Sequence, residues 1–179
     1  DLHAAGAVSR ERGAGAVNRD RATAMIRSEQ VIPVLLEACP SFQSVWDEYG
    51  ENDLLYCALG EFARHLLDLN KSGRVEALRS AGVAIERLHL EGDGQVQEAA
   101  TIGLLEGIQN VWGNNKVDAD LFRPYLLPTS LKWWDELNAF WHGERRYVGE
   151  GLTNDLSADE IERIRSQARA RFQNRGETK

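Results

Sequence analysis

Four prolines and two cysteines are few for 179 residues, and no apolar run approaches the roughly 20 residues that a membrane-crossing helix requires. With 42 % hydrophobic and 27 % charged residues, the scarcity of proline excludes a collagen-like, mucin-like or wholly disordered chain. The two cysteines, Cys39 and Cys57, are too few for a disulfide framework and too far apart for a zinc site. Both lie in apolar helical patterns and read as buried free thiols in a reducing compartment. The N-terminus lacks a charged stretch followed by an apolar one, so no signal peptide is read and a cytoplasmic location is expected.

Positive charge is also in the minority. Lys and Arg number 21 against 28 Asp and Glu, a formal net charge of −7. That balance argues against a nucleic-acid coat protein. Divided at Met25 and Gly143, the chain carries +1, −9 and +1 in its three segments, so the acid excess lies wholly in the middle. An acidic folded unit repels DNA and anionic membranes and attracts basic partners at a salt-dependent rate.

Motifs for catalysis are missing as well. Gly92-Asp93-Gly94 is a helix-to-helix turn and no phosphate loop, and neither G-x-S-x-G nor H-E-x-x-H occurs. The spacing of Ser, His and Asp suggests no triad. No cofactor is expected.

What is present is helical periodicity in a chain long enough for one domain with a sizeable core. Residues 1–24 are an Ala-, Gly- and Arg-rich extension with no apolar face to bury, expected to be disordered. From Met25 the pattern predicts a helix capped by Ser28 and stopped by Pro40, then a short one capped by Ser41 and ended by Gly50. Asp53 caps a third, to about Leu69, with the wide stripe Leu54, Leu55, Ala58, Leu59, Phe62, Leu66 and Leu67. A fourth runs from about Arg74 to Leu90. Asp93 caps a fifth, to about Trp112, and the short turn between these two makes them an antiparallel hairpin. A sixth, capped by Thr129 or Ser130, runs from Leu131 to about His142 and holds Trp133, Trp134 and Trp141. Residues 144–156 read as a polar linker. Ser157 to Glu160 form a capping box opening an amphipathic helix over 157–174, with Ile161, Ile164, Ala168 and Phe172 on one stripe and Arg163, Arg165, Arg169 and Arg171 around it. That helix could dock on the acidic middle segment. No useful β-alternation appears. The expectation is an all-α, compact bundle of six to seven helices built from antiparallel helical pairs, its acidic domain spanning 25–143.

Two constellations carry candidate chemistry. Glu86 and His89 form a Glu-x-x-His, which places both side chains on one helix face as di-iron bundle proteins require. Glu61, His65 and Glu106 could complete such a metal site, but only one such motif occurs. The plainer reading makes His89 a surface residue near a helix C-terminus. It also makes Glu61, Glu86 and Glu106 stripe-flanking carboxylates that reach solvent or an arginine such as Arg64 or Arg87. The second constellation is the tryptophan cluster. One helix cannot easily bury Trp133, Trp134 and Trp141 in one direction, so core packing competes with an interface role. Asp47, Glu48, Glu51 and Asp53 form a local acidic cluster that a basic partner would meet.

Several features of 25–143 together carry a resemblance. They are Leu35-Leu36-Glu37 before Pro40-Ser41-Phe42, Glu61-Phe62-Ala63-Arg64, the Glu91-Gly92-Asp93 turn, Leu104-Leu105-Glu106, and Leu126-Leu127-Pro128-Thr129-Ser130 with Trp134. With them the segment resembles a family of small, acidic, all-helical bacterial proteins of uncharacterised function. The resemblance implies the fold and supplies no catalytic residues. In size and acidity the chain is also similar to bacterial immunity proteins that neutralise toxins, which is an analogy only. The helices on either side of Gly92 look like one HEAT-type pair, and one pair makes no solenoid.

The sequence supports three functional expectations. The first is a non-enzymatic helical protein-binding module with a basic partner, such as an immunity-type protein neutralising a basic toxin. The second is a metal-dependent, ferritin-like carboxylate and histidine enzyme. The third is an oligomerising structural domain, a homo-oligomer.

Overall fold

A computed structural model describes residues 25–49 and 54–153. The 1–24 extension, the Asp53 cap, Glu51 and the 157–174 segment lie outside these described residues. Within them the chain is all-helical, and no helix is long and apolar enough to cross a membrane.

The described chain opens on a backbone bridge at Ile26. The Ile26 amide donates to the Glu91 carbonyl at 2.9 Å, and the Asp93 amide donates to the Ile26 carbonyl at 3.0 Å. This bridge ties the start of the domain to a turn 66 residues on, and Arg27 pairs with Asp93 across it at 3.0 Å. A 3-10 turn over Ser28–Gln30 then feeds α1 (Val31–Ala38). Ser28 is not its cap; Gln30 closes the turn by accepting from the Arg27 amide at 2.9 Å. Pro33 is harmless because first-turn amides have no intrahelical partner to lose. Ser41 falls in a second 3-10 turn, Pro40–Phe42, and α2 comes next over Gln43–Tyr49.

Three long elements make the body. Helix α3 (Leu55–Lys71) buries Ala58, Leu59, Phe62, Ala63, Leu66, Leu67 and Leu69, largely the stripe read from sequence. Gly73, at φ +66°, makes the left-handed turn into α4 (Val75–Glu91). Asp93 caps the next element as its spacing predicts, accepting from the Gln95 and Val96 amides at 3.1 and 3.0 Å. That element is one rod of three parts: α5 (Gly94–Glu98), a π-helical stretch (Ala99–Glu106) and α6 (Gly107–Asn114).

The π-stretch has a packing reason. Ala99, Ala100, Thr101, Gly103, Leu104 and Leu105 are all buried, more than one face of a 3.6-residue turn carries. The wider turn lets this part of the rod face α3, α4 and α7 together. Tyr56 reaches Glu98, Leu59 packs against Gly103 and Ala63 faces Gly107, so α3 and the rod run in the same direction. The hairpin expected of the fourth and fifth helices is α4 with this rod, where His89 reaches Thr101 across the Gly92 turn.

Two 3-10 turns (Ala119–Leu121 and Arg123–Tyr125) lead to α7 (Pro128–Trp141), which has proline in its first turn, where the missing amide is not needed. A turn-rich strap over 143–149 ends in α8 (Glu150–Thr153). The core centres on Phe42, Phe62, Trp112, Phe122 and Trp134, all fully buried. Phe42 and Phe62 meet edge to face at 5.0 Å, and Trp112 and Phe122 do so at 5.9 Å. Cys39 is buried, and burial pushes its thiol up to about 11. Cys57 is exposed, which corrects its reading as a buried thiol, since it faces away from the α3 stripe.

Close approach at Gly82 gives a direct test. A Cβ there would run into the Tyr125 carbonyl, whereas at Gly113 it would meet nothing within 4 Å. Gly82→Ala should therefore cost about 1–3 kcal/mol in urea denaturation. Gly113→Ala should gain about 0.5–1 kcal/mol from helix propensity. Equal effects of the two substitutions would contradict this packing.

Candidate functional site

The Glu-x-x-His of α4 is buried, with Glu86 7 % and His89 4 % exposed. Both were expected at the surface. Glu86 faces the start of α7, where its Oε1 accepts from the Thr129 amide at 2.9 Å. Its Oε2 accepts from the Ser130 amide at 2.8 Å and the Ser130 hydroxyl at 2.7 Å. A carboxylate from one helix thus caps another. Thr129 and Ser130 were read as caps, but they are donors to this cap. Arg87 points elsewhere, to Glu91 at 2.9 Å and Glu37 at 3.5 Å.

His89 continues the network. Its Nδ1 lies 3.0 Å from the Ile85 carbonyl and 3.1 Å from the Ser130 Oγ. A carbonyl only accepts, so the ring proton sits on Nδ1. The Ser130 hydroxyl gives its hydrogen to Glu86 and accepts from the ring. Nε2 lies 3.1 Å from the Thr101 Oγ1, whose hydroxyl is at the same distance from the Gln97 carbonyl. Thr101 belongs to the π-stretch, so three elements meet at one imidazole. Burial pushes His89 below the ordinary histidine range, against the raising effect of its Ile85 bond and of Glu86. Burial also works to raise the Glu86 carboxyl, but the Ser130 and Thr129 bonds outweigh it and hold the group below its usual value.

A second buried carboxylate repeats the device. Glu136, on α7, is 7 % exposed. Its Oε2 accepts from the Gly151 amide at 2.8 Å, within α8, and lies 3.4 Å from the Arg145 Nε. The strap so held passes over Trp133, whose ring leaves no room for a side chain at Gly149.

The three tryptophans of α7 therefore part ways. Trp134 is fully buried and donates its indole N–H to Asp120 at 2.8 Å. Trp133 is half-buried under the strap. Trp141 is 53 % exposed and stands beside a groove of about 410 Å³ between α6, the Ala119–Leu121 turn and the end of α7. Gln109, Asn110, Asp118, Asp120, Asn138 and His142 supply polar groups to it. Asp118 is held as a cap by the Asp120 amide at 2.9 Å, so both carboxylates sit on a fixed turn. The sequence predicts a short helical turn around residues 119–122, and it is found, but the pattern assigns no site role to its two acids. Its signal was two acids on a capped turn beside a tryptophan helix.

The other candidates are scattered. Glu61 pairs with Arg64, as one reading expected. Glu106 ends the π-stretch. His65 shares a hydrogen bond with Ser41, Nε2 to Oγ 2.9 Å, beside the Phe42 ring. Glu86, His89, Glu61, His65 and Glu106 do not converge: among the described residues no three of His, Cys, Asp and Glu come together as metal ligands. Asp47 and Glu48 are exposed on α2, where Asp47 accepts from Gln43 at 2.8 Å. Glu51 and Asp53 lie beyond the described residues.

The profile of a domain of unknown function, DUF7674, matches residues 32–142, the span that holds α1 to α7 and both walls of the groove. No curated protein and no solved structure matches the chain.

The buried network should make the domain acid-sensitive in two steps. The unfolded chain protonates its histidines near pH ~6.5, above the lowered folded value of His89, so stability falls as pH drops below that point. His65, also lowered by burial, adds to the same limb. Glu86 contributes stability above the ordinary carboxylate value of about 4.3, and that contribution disappears as pH falls through its lower folded value. Denaturant titrations across this range should show both limbs, with His89→Gln shrinking the upper and Glu86→Gln the lower. Glu86→Ala, which strands two buried amides, should cost about 1–3 kcal/mol or more at neutral pH. A pH-independent stability would contradict the network.

Proposed function

The chain belongs to the DUF7674 family, a domain of unknown function, and within that family we propose that it serves as a non-enzymatic protein-binding module for a basic partner. The observation that carries this reading is Trp141, half-exposed at the lip of a groove with two fixed carboxylates, Asp118 and Asp120. No Lys or Arg is among the described lining residues, and His142 is their one basic side chain. A large aromatic at the edge of a concave, acceptor-rich surface is the composition of an interface anchor. A cation over its indole face gains about 0.5–2 kcal/mol. The −9 charge of residues 25–143 steers basic proteins toward that surface.

The groups that suggested catalysis support this reading by their other duties. Glu86 and His89 hold helices together, and Glu61 is matched by Arg64. The immunity-type role is one form such a module takes, with a basic toxin as the partner.

The test uses Trp141→Ala and Asp118→Asn, which leave the Trp134 to Asp120 bond and the core untouched. Binding of the partner captured from the native host at low salt should weaken about thirtyfold for Trp141→Ala, a loss of about 2 kcal/mol. Asp118→Asn should weaken it less and flatten its salt dependence, with the melting temperature of both variants near that of the parent. Undiminished capture by both variants would refute the proposal.

A further inference from the structure

The groove has two polar features beyond its acidity. Gln109 donates its Nε2 to the Asn138 Oδ1 at 3.0 Å, while its Oε1, shielded from water in the groove wall, has no hydrogen-bond partner. Asp118 and Asp120 each receive one hydrogen bond on Oδ1, which leaves carboxylate acceptor capacity toward the groove. Beside the amides of Asn110 and Asn138 and the His142 ring, the two carboxylates and the aromatic wall suit a cationic, planar donor. Guanidinium has five N–H donors, no acceptor, and a planar face that stacks on indole.

The chain itself carries such groups close by. From residue 163 to 175 it has Arg163, Arg165, Arg169, Arg171 and Arg175, with no Asp or Glu among them. The near-neutrality of the whole 144–179 stretch hides this, because its acids fall mostly before residue 163.

Reach is no obstacle. The chain leaves the described structure at Thr153, two residues after Gly151, which is hydrogen-bonded to Glu136 of α7. Asn138 and Trp141 of the groove lie on the same helix, and Trp141 is only about 8 Å further along its axis. The ten residues from Thr153 to Arg163 span up to about 33 Å when extended.

We infer that the chain's own arginine-bearing segment, residues 157–174, occupies the Trp141 groove and competes there with a basic partner. The inference rests on the reading of the groove as a site for basic ligands and adds its regulation. A partner must then displace a tethered competitor, whose effective concentration is set by the short connection from α8. Binding to the full chain is accordingly weaker than binding to a chain whose tail arginines are neutralised.

The experiment uses the full-length, nitrogen-15-labelled chain and reads the Trp141 indole N–H resonance, assigned by its loss in Trp141→Phe. The parent is compared with a variant carrying Arg163→Gln, Arg165→Gln, Arg169→Gln and Arg171→Gln. A synthetic peptide of residues 157–174 is then titrated into each. Self-occupation predicts that the resonance moves in the variant, that the peptide moves it back, and that the peptide binds the variant at least tenfold more tightly than the parent. Equal peptide binding to both chains, with one resonance position for both, overturns self-occupation and leaves the groove reading standing. No peptide binding to either chain, again with one resonance position, overturns both. A parent resonance that shifts to the variant position on dilution overturns occupation within one chain in favour of exchange between copies.

Discussion

Two helices of the fold are joined by one carboxylate largely withdrawn from water. Glu86 of α4 meets the first amides of α7, and each of its oxygens holds a different one. The start of a helix presents unpaired N–H groups and a partial positive charge, so an anion there is favourable and an empty position is costly. Capping is usually local, from a residue next to the helix. Here it comes from 43 residues away and fixes the end of one helix against the middle of another. The asymmetry of buried hydrogen bonds makes this a strong constraint, since losing one partner leaves the other desolvated and unmatched.

The contacts that α7 makes along its length depend on that attachment. His89, one turn along α4, joins α4 and α7 to the π-stretch through Ser130 and Thr101. Further along α7, Trp134 reaches Asp120, Asn138 reaches Gln109, and Glu136 takes hold of the strap. The groove beside Trp141 is thus assembled between α6 and a helix whose start is fixed by a carboxylate from α4. The acid sensitivity of the network and the shape of the groove therefore share one origin.

Much of the framework was legible in the sequence because it rests on local rules. The α3 stripe, the Asp93 cap and the spans of the long helices come from periodicity and caps, which short-range contacts dictate. The roles of Glu86 and His89 were not legible. A glutamate flanking an apolar stripe looks the same whether it faces solvent or a helix start distant in the chain. The π-stretch was hidden for a similar reason. Ala99 to Leu105 fits a helical stripe well enough, and the extra width arises only because α3, α4 and α7 all press on it. The tryptophans showed that one helix could not bury all three, but not which would stay outside; that was settled by the strap over Trp133 and by Asp120 beneath Trp134. For Glu51, Asp53 and the arginines of 157–174, the sequence pattern stands alone.

Native-state hydrogen exchange at the Thr129 and Ser130 amides tests the capping carboxylate most directly. These amides open a helix and have no intrahelical acceptor, so their protection must come from Glu86. Slow exchange is expected at both in the parent. In Glu86→Gln, which keeps only one acceptor oxygen, at least one of them should exchange much faster while core amides of α3 such as Leu66 keep their protection. Unchanged exchange at both Thr129 and Ser130 in that variant would contradict the claim that Glu86 holds α7 in place.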